Sequence, residues 1–473
     1  MLLTSQQGFG MSAIVSLEHR LSRRNLLRNA FYLSTATAAA PLLAACGGTS
    51  RSVSVPTPAS EASELFIPHG PLANVGALSL DPLTQIRIPA GFTVRAVASS
   101  GLPVTTPGGS SINTQGFNWH TSPDGGATYA LDDGGWIYTS NSEILAPGGG
   151  GCSAIKFNAD GEVVDAYPIL TATTQNCAGG KTPWQTWVSC EETTAGVCWE
   201  CDPFAESQGI AKPSLGLFAH EAIAVDQEKG IIYLTEDNSS GRFYRWLADR
   251  NDIDPSTGRM AMETGSLQVM NIAGFENGGY PEKTEDVREL RSVTWVDVIR
   301  SAEPQSTVRG ELAEAGQTVP GTLFNGGEGL WYYSLPASVN NIPSAGTVAT
   351  RGLVFFTCKG DNRVWALDIE NQLVELIFDN EQIEPDFNDV DNLTVSPWGD
   401  VIVAEDPPTE PYSRIMVVLP NATCVVLVQC EHPGSEICGP AFSPDGRKLY
   451  FSSQRRGAGE TYELTIPESL ILA

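Results

Sequence analysis

Residues able to do chemistry sit where apolar runs of this chain stop. Thr186-Trp187-Val188-Ser189 leads directly into Cys190-Glu191-Glu192, a thiol and two carboxylates. A thiolate suits a transition metal, and carboxylate oxygens suit calcium. Taken alone, a Cys in an apolar strand is ordinary core filler and a Glu-Glu pair an ordinary solvated turn. Recurrence favours a site. Thr128-Tyr129-Ala130-Leu131 ends in Asp132-Asp133, Ile231-Ile232-Tyr233-Leu234-Thr235 in Glu236-Asp237, and Val401-Ile402-Val403-Ala404 in Glu405-Asp406. Leu353-Val354-Phe355-Phe356-Thr357-Cys358 and Lys448-Leu449-Tyr450-Phe451-Ser452-Ser453 repeat the strand without the acids.

Six similar strands, several introduced by a turn such as Ser122-Pro123-Asp124-Gly125, Ser396-Pro397-Trp398-Gly399 or Ser443-Pro444-Asp445-Gly446, predict an all-β fold, a six-bladed β-propeller. Corresponding strands of a propeller run the same way along the channel. Asp132 or Asp133, Cys190, Glu236 or Asp237, and Glu405 or Asp406 are therefore expected around one mouth. Adjacent strand residues face opposite ways, which leaves open which acid of each pair faces a metal. His220-Glu221, the lone acid Glu328 in Gly326-Gly327-Glu328-Gly329, and Asp391-Asn392 ahead of the Glu405 strand add further donors. Between Trp246 and Thr322 the strand rhythm lapses. The stretch at about 250–320 reads as an insertion on the rim carrying one or two helices.

The chain has 473 residues and a formal net charge of −27. Such a field argues against nucleic acid as a partner and repels anionic substrates unless bound cations reverse its sign locally. No apolar run is long enough to span a membrane. Residues 1–45 read as a removable signal: Arg23-Arg24 are the twin arginines of a Tat address, and Leu43-Ala44-Ala45-Cys46-Gly47 resembles a lipobox. The expected protein is exported by Tat and lies in the periplasm or on the cell surface. It is a monomer that meets the membrane only through a lipid on Cys46. Residues 46–75 read as a flexible tether and 76–473 as the propeller. With Cys46 set aside, nine cysteines remain, an odd number that leaves at least one unpaired.

Several motifs together resemble the PhoX-type alkaline phosphatases and their uncharacterised relatives among bacterial Tat substrates. They are Asn176-Cys177-Ala178-Gly179-Gly180 with Trp187-Val188-Ser189-Cys190-Glu191-Glu192, His220-Glu221-Ala222, Gly327-Glu328-Gly329, Asp391-Asn392-Leu393-Thr394-Val395-Ser396-Pro397, and Phe442-Ser443-Pro444-Asp445-Gly446. The resemblance implies a six-bladed propeller with a mixed Fe(3+) and Ca(2+) cluster at the channel mouth. Carried over by position, Cys190 would bind iron. Glu191, Glu192, Glu221, Glu236, Asp237, Glu328, Asp391, Asn392, Glu405 and Asp406 would be the oxygen ligands, and Glu221, Gln454 and Arg455 would act on a small phosphate-ester substrate. There is a departure: where relatives place an arginine two residues before the Gly-Glu-Gly acid, this chain has Gly326, and Ser452-Ser453-Gln454 with Arg455-Arg456 replaces their Asn-x-Gln. No Gly-x-Ser-x-Gly elbow supports a covalent hydrolase. The competing readings are a calcium-dependent, lactonase-like propeller hydrolase, which needs the acids but not Cys190, and a non-enzymatic propeller lipoprotein that binds a partner.

Overall fold

The structure, a computed structural model, describes residues 63–106, 117–282, 288–336, 342–380, 387 and 389–471. The expected signal segment, Cys46 and residues 46–62 of the expected tether lie outside the described residues.

The fold is all-β and propeller-like, built from up-and-down antiparallel meanders. One sheet is Pro123–Ala130, Trp136–Ser142, Gly150–Phe157 and Val163–Thr173, and the next begins at Asn176–Lys181 and Trp187–Glu191. The meanders starting at His220–Asp226 and at Gly327–Ser334 follow. Then come Val390–Val395 with Val401–Glu405, and finally Ile437–Phe442, Lys448–Ser453 and Glu460–Thr465. That last sheet takes its fourth strand, Thr93–Ser99, from the start of the described chain, so the two ends of the fold are hydrogen-bonded together. Closure of this kind ties the first strands of the fold to the last sheet.

Hydrogen bonding yields five sheets where the sequence predicts six separate ones. Arg291–Asp297 extends the meander of His220–Asp226, and its Arg291 and Ser292 also pair with Val374 and Leu373 of the following one, fusing the two into nine strands. The stretch at 250–320 is accordingly less of an insertion than expected. Its described residues contribute the strands Gly265–Ile272 and Arg291–Asp297 and one helix of ten residues, Gln305–Glu314. Ser63–Val75 is likewise packed and no tether: the Glu375 carboxylate accepts from Ser63 Oγ and from the N–H groups of Glu64 and Leu65, and Leu65, Ile67 and Leu72 are buried.

The core lies between successive sheets, so strands are covered on both faces. Leu353, Val354, Phe355 and Phe356 are all fully buried although they alternate in direction, which explains why these strands read as continuous apolar runs. All nine described cysteines are buried. The strands that open the six meanders pack in a closed circuit, Pro123–Ala130 beside Asn176–Lys181, then His220–Asp226, Gly327–Ser334, Val390–Val395, Ile437–Phe442 and back.

Candidate metal centre

Two rings of side chains stand at one end of that circuit. The inner ring is the second residue of each opening strand: Asp124, Cys177, Glu221, Glu328, Asp391 and Cys438. Just beyond each of these residues the pairing with the next strand slips, between Pro123 and Gly126, Asn176 and Gly179, His220 and Ile223, Gly327 and Leu330, Val390 and Leu393, and Cys438 and Ala441. A bulge bends its strand and re-aims the side chains beside it, and here the bend recurs in every opening strand. The upper ring is the residue that directly follows each second strand: Glu143, Glu192, Asp237, Lys359, Asp406 and Gln454. Second strands run antiparallel to opening strands, so their ends meet the inner ring.

Below the inner ring the channel closes. The residues that follow the inner ring, Gly125, Ala178, Ala222, Gly329, Asn392 and Gly439, line a cavity of only about 30 Å³, room for one water. Backbones approach too closely here for larger residues. A Cβ on Gly329 would lie 2.3 Å from Leu393 N, and one on Gly439, at φ 62°, 2.6 Å from Asp124 O. Asn392 belongs to this floor: its Oδ1 accepts from Gly439 N at 2.8 Å and its Nδ2 donates to Asp391 Oδ1 at 2.8 Å.

Donor atoms of the two rings, with Glu436, fall into overlapping triads whose members lie within 4.8 Å of one another. The triads are Asp124, Glu143 and Cys177; Cys177, Glu192 and Glu221; Glu221, Glu328 and Asp391; Asp391, Asp406 and Glu436; and Asp124, Glu436 and Cys438. Of the residues the sequence singles out, Glu192, Glu221, Glu328, Asp391 and Asp406 lie in these triads. Asp237 stands beside Glu192, and Gln454 donates from Nε2 to Asp124 Oδ2 and Glu143 Oε2, each at 2.8 Å.

The first acid of each pair turns away and is engaged elsewhere. Glu191 accepts from the N–H groups of Thr174 and Val197, and Glu236 from Arg309, Tyr244 and Arg242 N. Glu405 is gripped by Arg414 at 2.9 and 2.6 Å. Cys190 also points the wrong way: its Sγ lies 3.7 Å from Cys198 Sγ inside an apolar cluster with Val188, Leu215 and Phe218. Cys190 lies within the strand Trp187–Glu191, in register opposite Cys198, whereas Glu192 follows the strand's end, where the chain leaves the sheet. Asp132 and Asp133 end an opening strand, not a second strand, and so lie exposed at the far end from Asp124. His220 is not in a triad; its Nε2 engages Gly216 O at 3.0 Å.

Sequence reasoning missed Asp124, Glu143, Cys177, Lys359, Glu436 and Cys438. Asp124 sits in a Ser-Pro-Asp-Gly stretch that reads as a turn but begins a strand, and Cys177 stands in a glycine-rich motif with no apolar run before it. Lys359 follows an apolar run as the acids do but carries the opposite charge.

Electrostatics favour cations here. Both carboxylate oxygens of Glu221 and one each of Glu328 and Glu436 are buried without a hydrogen-bond partner among the described residues, a costly arrangement unless a cation compensates it. Burial, then neighbouring acids, holds the Glu221, Asp124 and Glu436 carboxyls well above the usual carboxylate range. Burial does the same for Glu328, against the pull of Lys359. Burial first, then Asp237 and Glu143, pushes Glu192 up to about 8. Buried oxygens on all sides with thiols at Cys177 and Cys438 form a donor set that fits hard and softer metal ions together.

A prediction follows for the metal-free protein. When folded it keeps the Glu192 proton up to about pH 8, whereas the ordinary value is 4.5. This group's stabilising contribution is complete below pH 4.5 and lost as pH rises through about 8. Bound metal displaces the same protons, so metal protection grows with pH. The Tm difference between metal-loaded and chelator-treated protein should widen from pH 5 to 8; a constant or narrowing gap would contradict this electrostatic reading.

No curated protein matches the chain significantly in sequence. Among solved structures, the fold is similar to that of Pseudomonas fluorescens PhoX in complex with vanadate, a transition state analogue, with 14% identity over 86% of this chain and 98% of that one and a TM-score of 0.57. A gluconolactonase from Xanthomonas campestris is 12% identical over 88% of this chain and 99% of its own, with a TM-score of 0.40. The model of the alkaline phosphatase PhoX family matches residues 137–200 and 194–457, well over half of the chain, and on that match the chain belongs to the PhoX family.

Proposed function

We propose that this chain is an exported, metal-dependent phosphoesterase acting on small phosphate monoesters, with iron and calcium held in the two rings. The observation that carries the reading is that both carboxylate oxygens of Glu221, which shares a triad with the Cys177 thiol, and one oxygen each of Glu328 and Glu436 are buried without a hydrogen-bond partner among the described residues. Cys177, with Glu192 and Glu221, would take the role that the family resemblance implies for Cys190 and hold iron. The all-oxygen triads at Glu328, Asp391 and Glu436 would hold calcium. Cations held by these residues would offset the negative charge of the acids and supply Lewis-acid chemistry toward a phosphoryl group and a water. Gln454 fixes Asp124 and Glu143 in place, and the small-residue floor keeps water out from below. The six repeats of opening strand, bulge and ring residue support counting the fused nine-stranded sheet as two blades, a six-bladed propeller in all. Arg23-Arg24 and Cys46 support Tat export and a lipid anchor.

Hydrolysis of para-nitrophenyl phosphate by natively exported protein tests the activity. Chelation should reduce turnover roughly a hundredfold or more, and calcium together with iron should restore it. Turnover that survives complete metal removal would reject a metal-dependent reaction.

A further inference from the structure

The upper ring breaks its own pattern once. Four of its six positions are acids and one is the amide Gln454; the fourth in order is Lys359. Lys359 Nζ lies 3.1 Å from Asp391 Oδ2, 2.7 Å from Asp406 Oδ2 and 4.0 Å from Glu328 Oε1. Arg455 reaches the other oxygen of Asp406 and stands 3.2 Å from Glu436 Oε2. One buried carboxylate therefore tethers two cations side by side.

Exposure sorts these charges. The Lys359 and Arg455 side chains are 29% and 41% exposed, whereas Glu328, Asp391 and Asp406 are 3%, 6% and 10% exposed. An anion arriving from solvent meets the cations before the acids. Gly326 leaves this corner to the lysine. Its carbonyl accepts from Lys359 N at 2.8 Å, and a Cβ there would lie 3.2 Å from Asp237 Oδ1 and 3.6 Å from Lys359 Cβ. A long side chain at 326 would share the space Lys359 now has.

We infer that Lys359, paired with Arg455 across Asp406, is the positioning residue that receives the terminal phosphoryl group of the substrate; this rests on the phosphoesterase reading. A guanidinium fork and an ammonium on a flexible stem suit two oxygens of a tetrahedral dianion. The ammonium has three carboxylate neighbours and can turn toward an incoming anion while keeping one of them.

The test titrates inorganic phosphate calorimetrically into metal-loaded wild type, Lys359→Gln and Lys359→Arg, alongside KM and kcat for para-nitrophenyl phosphate and metal content per chain. Lys359→Gln should weaken phosphate binding and raise KM about tenfold with metal content unchanged, and Lys359→Arg should recover most of the loss. Unchanged phosphate affinity in Lys359→Gln would overturn the inference. So would one additional bound divalent cation with KM unchanged, which would make Lys359 a substitute for a metal ion, or a loaded wild type that binds no phosphate. Wild type that hydrolyses esters while Lys359→Gln does so equally well rejects this inference and leaves the phosphoesterase reading standing. Wild type that binds phosphate through Lys359 without hydrolysing any ester does the reverse.

Discussion

Cys177→Ala should remove iron and any thiolate-to-iron colour from the purified protein and lower phosphate-ester hydrolysis by roughly a hundredfold or more. Cys190→Ala should do neither. The two thiols lie on neighbouring strands and both are buried, yet their surroundings differ. Cys177 Sγ is 3.6 Å from Asp124 Oδ2 and shares a triad with Glu192 and Glu221. Burial, then Asp124 and Glu221, holds its thiol well above the usual range in the metal-free protein, so the thiolate needs a metal to form. Cys190 fills apolar space against Cys198, and truncating it should cost about 1–2 kcal/mol of stability. Absorption spectra, metal analysis and chemical denaturation on both variants check the pair of outcomes. Retained iron in Cys177→Ala would contradict the assignment.

The second large effect is on stability. Arg414→Ala should destabilise the fold by about 3–5 kcal/mol, because it strips a two-pronged partner from a buried carboxylate. Glu405 is 1% exposed and Arg414 7%. Replacing Arg414 and Glu405 together by Met and Leu should recover most of the loss, since neither charge is then left buried with its partner removed. The folded fraction of Arg414→Ala should keep its full metal content, because Glu405 faces away from the rings. Denaturant unfolding with metal analysis separates these effects. Metal loss in a still-folded Arg414→Ala protein would return Glu405 to the ligand set.

Much of this arrangement was legible in the sequence. Apolar runs that stop at acids locate the mouth, because second strands end there and the acids that follow have nowhere drier to go. That rule finds Glu192, Asp237 and Asp406. It also admits Asp132-Asp133, since an opening strand and a second strand look alike in sequence but end at opposite ends of the sheet. What the sequence hides is direction. Alternation turns one of two adjacent acids toward the rings and the other away, and the residue types alone do not mark which. Glu191, Glu236 and Glu405 turn away for this reason, whereas Cys190, in phase with Glu192, is drawn into the apolar cluster beside Cys198. The fusion of two meanders through Arg291 and Ser292 was equally hidden, because it rests on two residue pairs contributed by a stretch with little strand rhythm.

Anomalous X-ray diffraction at the iron edge, on crystals of natively exported protein, tests the central claim most directly. A peak bonded to Cys177 Sγ and flanked by Glu192 and Glu221, with calcium density toward Glu328 and Asp391, is the predicted result. A folded, phosphatase-active protein with no metal inside the rings, or with iron at Cys190, would contradict it.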